Sequence, residues 1–313
     1  MLNAVLFITL CISWGTTWVA IKVGVDAVPP LYFAGTRFLV AGVLILMIAA
    51  MMNGWRSLIV KRADLRELSV MSLLVVAVCF ALIFWGEQFV SAGIVAIVVQ
   101  GSIPILLPLF TALLGGERIK RNSLLSGLVG LLGLGVIFAQ GIAADAGASA
   151  LSSPALLGLL AIVLGTVSYC YGSVKGRPLL ARHSPVAIAG WQNLIGGAMT
   201  LVGSLAFETP VHNAADYLAI FEPDVLFAWV WLVVVGSAIG FVLYIVLLKA
   251  WGAARLSPYA FATPVVAILI DYALFDNRLS MQDLVGVGVI LIALGIAFYK
   301  PRVKAAASSG VTT

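Results

Sequence analysis

Residues 92–118 read AGIVAIVVQGSIPILLPLFTALLGGER, and residues 252–278 read GAARLSPYAFATPVVAILIDYALFDNR. The first stretch carries no charge from 92 to 114, the length a helix needs to cross a bilayer. Set 160 positions apart, the two match: Pro104 with Pro264 and Arg118 with Arg278. The same offset pairs Phe84 with Tyr244 and Gly135 with Gly295. Nearer the N-terminus the offset shortens. Ala34-Gly35-Thr36-Arg37 falls on Ala189-Gly190-Trp191-Gln192, and Lys22 in TTWVAIKVG on Lys175 in SYCYGSVKG. A duplicated set of apolar segments is the frame for everything else in the chain.

Composition agrees. Of 313 residues, 62% belong to the AVILMFWYC set and 10% are charged, against about 25% charged in soluble domains. That excludes a soluble globule, a disordered chain, a nucleic-acid binder and a disulfide scaffold. Cys11, Cys79 and Cys170 each lie in an apolar run and read as buried hydrophobes. His183 and His212 lie in polar connections without metal-ligand spacing, so no metal site is expected.

Apolar runs of spanning length fall at 3–22, 30–52, 67–87, 92–114, 122–141, 154–175, 185–207, 225–248, 255–275 and 281–299. The first lacks a basic leader segment and reads as helix 1, not a signal peptide. Turn residues separate the runs, among them Pro29-Pro30, Asn53-Gly54, Gly115-Gly116, Ser153-Pro154 and Glu222-Pro223. Fifteen of the 18 basic residues fall on one side of the resulting topology, from Arg56 in the 2–3 connection to Lys304 in the tail. Lys22 and Arg278 are assigned to the other side, and Arg37 lies within helix 2. The 208–224 connection carries Glu208, Asp216, Glu222 and Asp224 with no Lys or Arg. The positive-inside rule then puts both termini in the cytoplasm.

The expected fold is an all-α integral membrane protein with ten transmembrane helices in two inverted five-helix repeats. Five is odd, so the second copy enters the membrane from the opposite face. The expected organisation is a first repeat at 1–141, an extracytoplasmic linker at 142–153, a second repeat at 154–299 and a disordered cytoplasmic tail at 300–313. Inverted repeats are a recurring plan of secondary transporters, with the substrate near the midplane between the halves. A duplication kept only for packing is the alternative.

Trp14-Gly15-Thr16-Thr17, Pro29-Pro30 and Arg37-Phe38 resemble the EamA-type drug/metabolite transporter superfamily. So do the two helix-loop-helix units, Ile103-Pro104 to Gly116-Glu117-Arg118 and Thr263-Pro264 to Asn277-Arg278. The resemblance covers essentially the whole chain as two EamA-like repeats. It implies a permease of the bacterial inner membrane, often an exporter of amino acids, metabolites or drugs. The second copy departs from the first where Arg37 becomes Gln192 and Gly116-Glu117 becomes Asp276-Asn277.

Helix 5 between Leu124 and Ala139 has one polar side chain, Ser126, and the glycines Gly127, Gly130, Gly133 and Gly135. Helix 10 has Gly286, Gly288 and Gly295. Such spacings let helices approach closely, so 5 and 10 are expected to be peripheral and to serve packing or a homodimer. Polar and aromatic side chains gather elsewhere. Trp14, Thr17 and Trp18 share one face of helix 1, and the repeat partner has Ser168, Tyr169 and Tyr171. Pro104 frees the Gln100 carbonyl, Pro108 that of Pro104, and Pro264 that of Ala260. Freed carbonyls in lipid must face protein or a wet cavity, so helices 4 and 9 are expected to line the pathway with Gln100, Ser102, Tyr259 and Thr263.

Arg37, two turns into helix 2, is expensive unless paired. The candidates are Glu87, at the outer end of helix 3, and Asp271, near the outer end of helix 9. Arg37 is expected to receive a substrate carboxylate or to order an outer gate, with Glu87 as its resting partner; a fixed structural ion pair is the alternative. The expected substrate-binding set is Trp14, Thr17, Trp18, Arg37, Gln100, Tyr169, Gln192, Tyr244, Tyr259 and Thr263. Glu87, Asp271, Pro104 and Pro264 serve gating or charge pairing.

No phosphate-binding GxxxxGK[ST] run and no poised nucleophile or metal cluster occurs, so neither an enzyme nor a cofactor is expected. No carboxyl lies near the midplane, which leaves proton coupling without an obvious residue. One deep arginine among aromatic and amide groups suits a neutral or zwitterionic solute, such as an amino acid or an aromatic or drug-like molecule. Phosphate esters would want more basic residues at depth. The competing function is a non-transporting membrane scaffold or lipid-handling protein.

Overall fold

The computed structural model describes residues 2–90, 92–115, 119, 121–146, 153–209, 212–275 and 280–298. Among these residues there are helices and connections, and no strand. The first half runs through α1 (Leu2–Ala27), α2 (Pro30–Asn53), α3 (Arg62–Glu87), α4 (Ala92–Gly115) and α5 (Arg121–Ala146). The second runs through α6 (Pro154–Arg182), α7 (Pro185–Phe207), α8 (Pro223–Trp251), α9 (Tyr259–Phe275) and α10 (Met281–Phe298). Eight helices among the described residues are long and apolar enough to cross a membrane. The chain is a multi-pass membrane protein.

The two that fall short of that measure are α5, which counts over Arg121–Ile137 only, and α9, with 17 residues. The start of α9 is set locally. Ala253–Leu256 forms its own short turn, and Pro258 has no N–H with which to carry that turn into the next helix. Several other helices outrun their apolar cores. α3 begins at Arg62, so Arg62, Asp64, Arg66 and Glu67 form a polar first stretch before the apolar run. The ends follow residue chemistry. Pro30 and Pro185 open α2 and α7 after extended residues, with ψ of 125° at Pro29 and 126° at Ser184. Gly54 and Gly252 close α2 and α8 at φ of 75° and 77°, a conformation that favours glycine.

Three interruptions matter for the site. α1 breaks at Thr16, where the Thr16 and Thr17 hydroxyls donate to the carbonyls of Ser13 and Trp14, each at 2.8 Å. α3 and α8 each contain a π-helical stretch, Leu73–Val78 and Leu232–Ile239, which coincide at the 160-residue offset. Each is held from the other half of the chain. Ser13 Oγ donates to the Val235 carbonyl and Trp14 Nε1 to the Gly236 carbonyl at 2.9 Å, while Ser168 Oγ donates to the Leu74 carbonyl at 2.8 Å. A π turn displaces carbonyls from the regular ladder, and these donors meet three of them.

Packing repeats the pattern with the halves exchanged. α1 lies against α8 and α9; α6 lies against α3 and α4. α2 packs on α7 and α5 on α10. The α2–α7 crossing is closest. A Cβ on Gly42 would stand 2.4 Å from the Leu194 nitrogen, and one on Gly197 would stand 2.4 Å from the Leu39 nitrogen. Lipid supplies little hydrophobic drive between helices, so such small-residue contacts carry the association. Between α5 and α10, a Cβ on Gly133 or on Gly286 would stand 3.1 Å from the other's carbonyl oxygen, and Ser126 Oγ donates to Ala293 O at 2.8 Å. Part of the glycine stripe expected to serve packing or a dimer is thus used within the chain. Gly135, Gly288 and Gly295 face open space.

The two ends of the bundle differ in charge. At the basic face, Asp64 of α3 pairs with His183 at 2.7 Å and with Arg182 at 3.0 Å, and Arg182 also meets Glu67. At the opposite, acidic face, Glu208 accepts from the N–H groups of Leu31 and Tyr32 at 2.6 and 3.0 Å. This carboxylate caps the positive end of α2.

Candidate functional site

A cavity of about 90 Å³ lies between the halves, toward the acidic face. α1 contributes Trp14, Thr17, Trp18 and Ile21; α2 contributes Arg37; α3 contributes Cys79, Phe80, Ile83 and Phe84. α4 adds Val99, Gln100 and Ile103, α6 adds Thr166 and Tyr169, α8 adds Gly236 and Phe241, and α9 adds Tyr259. The Thr16 break places Thr17 and Trp18 on this wall, and the α8 π stretch brings Gly236 to it.

Seven of the ten residues expected to bind substrate line this space: Trp14, Thr17, Trp18, Arg37, Gln100, Tyr169 and Tyr259. Thr263 and Tyr244 stand just behind them. Gln100 Nε2 donates to Thr263 Oγ1, and the Thr263 hydroxyl in turn donates to Ala260 O at 3.1 Å. That is the carbonyl Pro264 releases. Pro104 and Pro264 both lie inside unbroken helices. Tyr244 packs within 5.3 Å of Trp14, 5.6 Å of Tyr169 and 5.8 Å of Tyr259, and donates to Ser173 Oγ at 2.9 Å. The hydroxyls of Tyr169 and Tyr259 meet at 3.0 Å. These rings close the cavity on the side of the basic face.

Arg37 is the cavity's one cation among its described lining residues, seven residues into α2 and so about 10 Å from its start. It is 3% exposed. Its guanidinium carbon lies 4.1 Å from the Phe38 ring centre and 5.2 Å from those of Phe80 and Phe84. Cation–π contacts of this kind are worth up to about 2 kcal/mol when desolvated. Among the described residues the guanidinium forms no hydrogen bond or ion pair, and Nε is buried without a partner. This corrects the expected pairing with Glu87. Phe84 lies one turn before Glu87 on α3, and the arginine settles on the rings of Phe84 and Phe80 instead of reaching past them.

Glu87 is itself 1% exposed, with neither carboxylate oxygen hydrogen-bonded. Gln192, the repeat partner of Arg37, is fully buried with its amide unpaired and does not line the cavity. Asp271 lies on α9 with its side chain outside the described residues, as do Gly116, Glu117, Arg118, Asp276, Asn277, Arg278, residues 147–152 of the expected 142–153 linker and the 300–313 tail. Residues 142–146 of that expected linker instead continue α5 to Ala146.

The EamA-like transporter family matches this sequence twice, over residues 1–139 and 156–299. The chain belongs to this family. Among curated proteins, the Escherichia coli K12 "Uncharacterized inner membrane transporter YedA" is 29% identical over 293 residues, covering 91% of this chain and 87% of YedA. The E. coli K12 "Probable amino-acid metabolite efflux pump" is 24% identical over 318 residues, covering 98% of each. A crystal structure with 22% identity superposes at a TM-score of 0.74 over 95% of this chain and 96% of the other, which shows a shared fold.

In this EamA-like transporter, several cavity residues escaped the sequence reading. Phe80, Ile83 and Phe84 are spaced three and four apart on α3, a helical-face signal hidden inside a uniformly apolar run. Gly240 makes room for the Trp14 indole, whose Nε1 would lie 2.2 Å from a Cβ placed there. No local pattern announces that contact, because its two partners lie 226 residues apart.

Proposed function

We propose that this EamA-like transporter is a secondary carrier, not an enzyme, and that it moves a small zwitterionic or carboxylate-bearing solute with an apolar body, such as an amino acid. The observation that carries this reading is Arg37: a buried guanidinium without an anionic partner among the described residues, set among rings in a cavity otherwise lined by apolar, hydroxyl and amide groups. A carboxylate would supply the missing bidentate partner, while Trp14, Trp18, Phe80 and Phe84 take the apolar part. At about 90 Å³ the cavity is well below the ~300 Å³ of a drug-sized pocket, which favours a small solute over a large drug. The E. coli efflux pump with an amino-acid name lends support.

In this reading ten helices span the bacterial inner membrane as two inverted repeats, and the basic face is cytoplasmic. The cavity then lies toward the outside, closed inward by Tyr169, Tyr244 and Tyr259 and by the Asp64–Arg182–His183 cluster. Export follows if the solute gradient points outward. A homodimer through the open glycines of α5 and α10 is compatible with this arrangement.

The test is counterflow in liposomes with three probes that share one ring: L-phenylalanine, phenethylamine and 3-phenylpropionate. Wild type is expected to exchange the two carboxylates and not the amine. Arg37→Gln is expected to slow phenylalanine exchange about 10- to 100-fold, the range for a hydrogen bond to a charged group. Equal exchange of all three probes, or normal exchange by Arg37→Gln, refutes the role of Arg37. No exchange of any amino acid favours the scaffold reading.

A further inference from the structure

Glu87 was expected at the outer end of helix 3 as the resting partner of Arg37, and the structure instead buries it without that partner. It is the last residue of α3, 1% exposed, with both carboxylate oxygens lacking a hydrogen-bond donor. Two features oppose its ionised form. A buried carboxylate without donors is far more costly than a buried carboxylic acid. The negative end of the α3 dipole adds repulsion at this position.

Among the described residues the surroundings offer no standing compensation. On α1, the charges at the acidic face are Lys22 and Asp26, and the Lys22 ammonium is bound to Asp26 at 2.6 Å. On α2, Arg37 lies beneath Phe84, one turn further in. Just past the end of α7, Glu208 is held by the α2 N-terminus, and beyond it His212 faces Asp216 at 3.4 Å. The described outer halves of α4 and α6 bring no charged side chain. Nor do the described residues hold a group of three His, Cys, Asp or Glu side chains fit for a metal ion. A proton is the cation that two lone carboxylate oxygens can hold.

We propose that Glu87 is a proton-binding site linked to the transport cycle. In the conformation seen here it is the neutral acid. Its proton leaves to water when α1 and α3 part at the acidic face, where Lys22 can exchange Asp26 for the new carboxylate. Phe84, one turn away, connects this event to Arg37 and the cavity wall. The proposal rests on the reading of the chain as a carrier and adds its coupling ion.

The test has two arms, both on the full chain in phosphatidylethanolamine–phosphatidylglycerol liposomes. Infrared spectra without solute are expected to show a protonated-carboxyl band at neutral pH that Glu87→Gln removes and Asp26→Asn keeps. L-phenylalanine flux is then followed from about pH 5 to about pH 9, the span in which buried carboxyls titrate. Wild type is expected to accumulate solute under a pH gradient and to slow about tenfold per unit once the site empties. Glu87→Gln, which mimics the neutral acid, is expected to exchange solute at one rate at every pH and to accumulate none. Absence of the band overturns the proposal. Wild-type exchange that ignores pH also overturns it while leaving the carrier reading intact. Absence of any flux, with the band present, defeats the carrier reading for this solute and the linkage with it.

Discussion

Arg37 and Gln192 occupy the same place in the two halves, each on the helix that crosses its counterpart at the centre, and both are buried. Arg37 faces the cavity across Gly236, whose Cβ position is 3.7 Å from Nη1; Gln192 stays outside the cavity with an unpaired amide. The same division recurs elsewhere. Trp14 spans the site and the α8 π stretch, while Tyr169, on the corresponding helix of the second half, turns to Tyr259. Asp64 anchors an ion cluster at the basic face, while the equivalent position at the acidic face, Asp224, is on an exposed first turn. The repeated residues build the scaffold, and the unrepeated ones give the scaffold a site and a side.

The scaffold side of that comparison breaks most completely at the α2–α7 crossing. A Cβ on Gly42 or Gly197 would meet backbone nitrogen at 2.4 Å, which no side-chain rotation relieves. Gly42→Leu and Gly197→Leu are both expected to yield no folded, monodisperse protein in detergent, because overpacking against backbone adds to the usual ~1–3 kcal/mol. Gly135→Ala and Gly288→Ala, in open space, are the matched controls and should run at wild-type retention on size exclusion. A folded Gly197→Leu with wild-type melting would mean that the crossing is not where the halves are joined.

The site side breaks through the unequal pair. Gln192→Leu removes an amide that has no partner, so the folded state is expected to hold or gain up to about 1 kcal/mol, with phenylalanine exchange unchanged. Melting curves and counterflow on the same preparation check both. A loss of exchange as large as that expected for Arg37→Gln would put Gln192 in the pathway and make the two halves functionally alike.

The fold was largely readable because bilayer length and a repeated proline are one-dimensional signals. The pairing of Pro104 with Pro264 places α4 and α9 in corresponding positions, and freed carbonyls predict polar neighbours such as Thr263. What stayed hidden is three-dimensional. In a uniformly apolar α3, nothing distinguishes Phe80 and Phe84 as the rings that would claim Arg37 from Glu87. Burial of Glu87 depends on neighbours from several helices, whereas its position at the end of an apolar run suggests water. The π stretches likewise carry no composition of their own: LLVVAV and LVVVGSAI read as ordinary apolar helix.

Those stretches give the finest test of the comparison. The α8 stretch is held by two donors, Ser13 and Trp14, and touches the cavity; the α3 stretch is held by Ser168, and none of Leu73–Val78 lines the cavity. Ser168→Ala therefore removes a contact of the scaffold alone. Interhelical hydrogen bonds in membranes average about 0.6 kcal/mol, so a loss of that order in melting stability is expected, with unchanged solute affinity. If Ser168→Ala instead altered exchange without altering stability, the α3 stretch would belong to the moving part of the carrier, and the asymmetry between the two π stretches would lie in their timing and not in their roles.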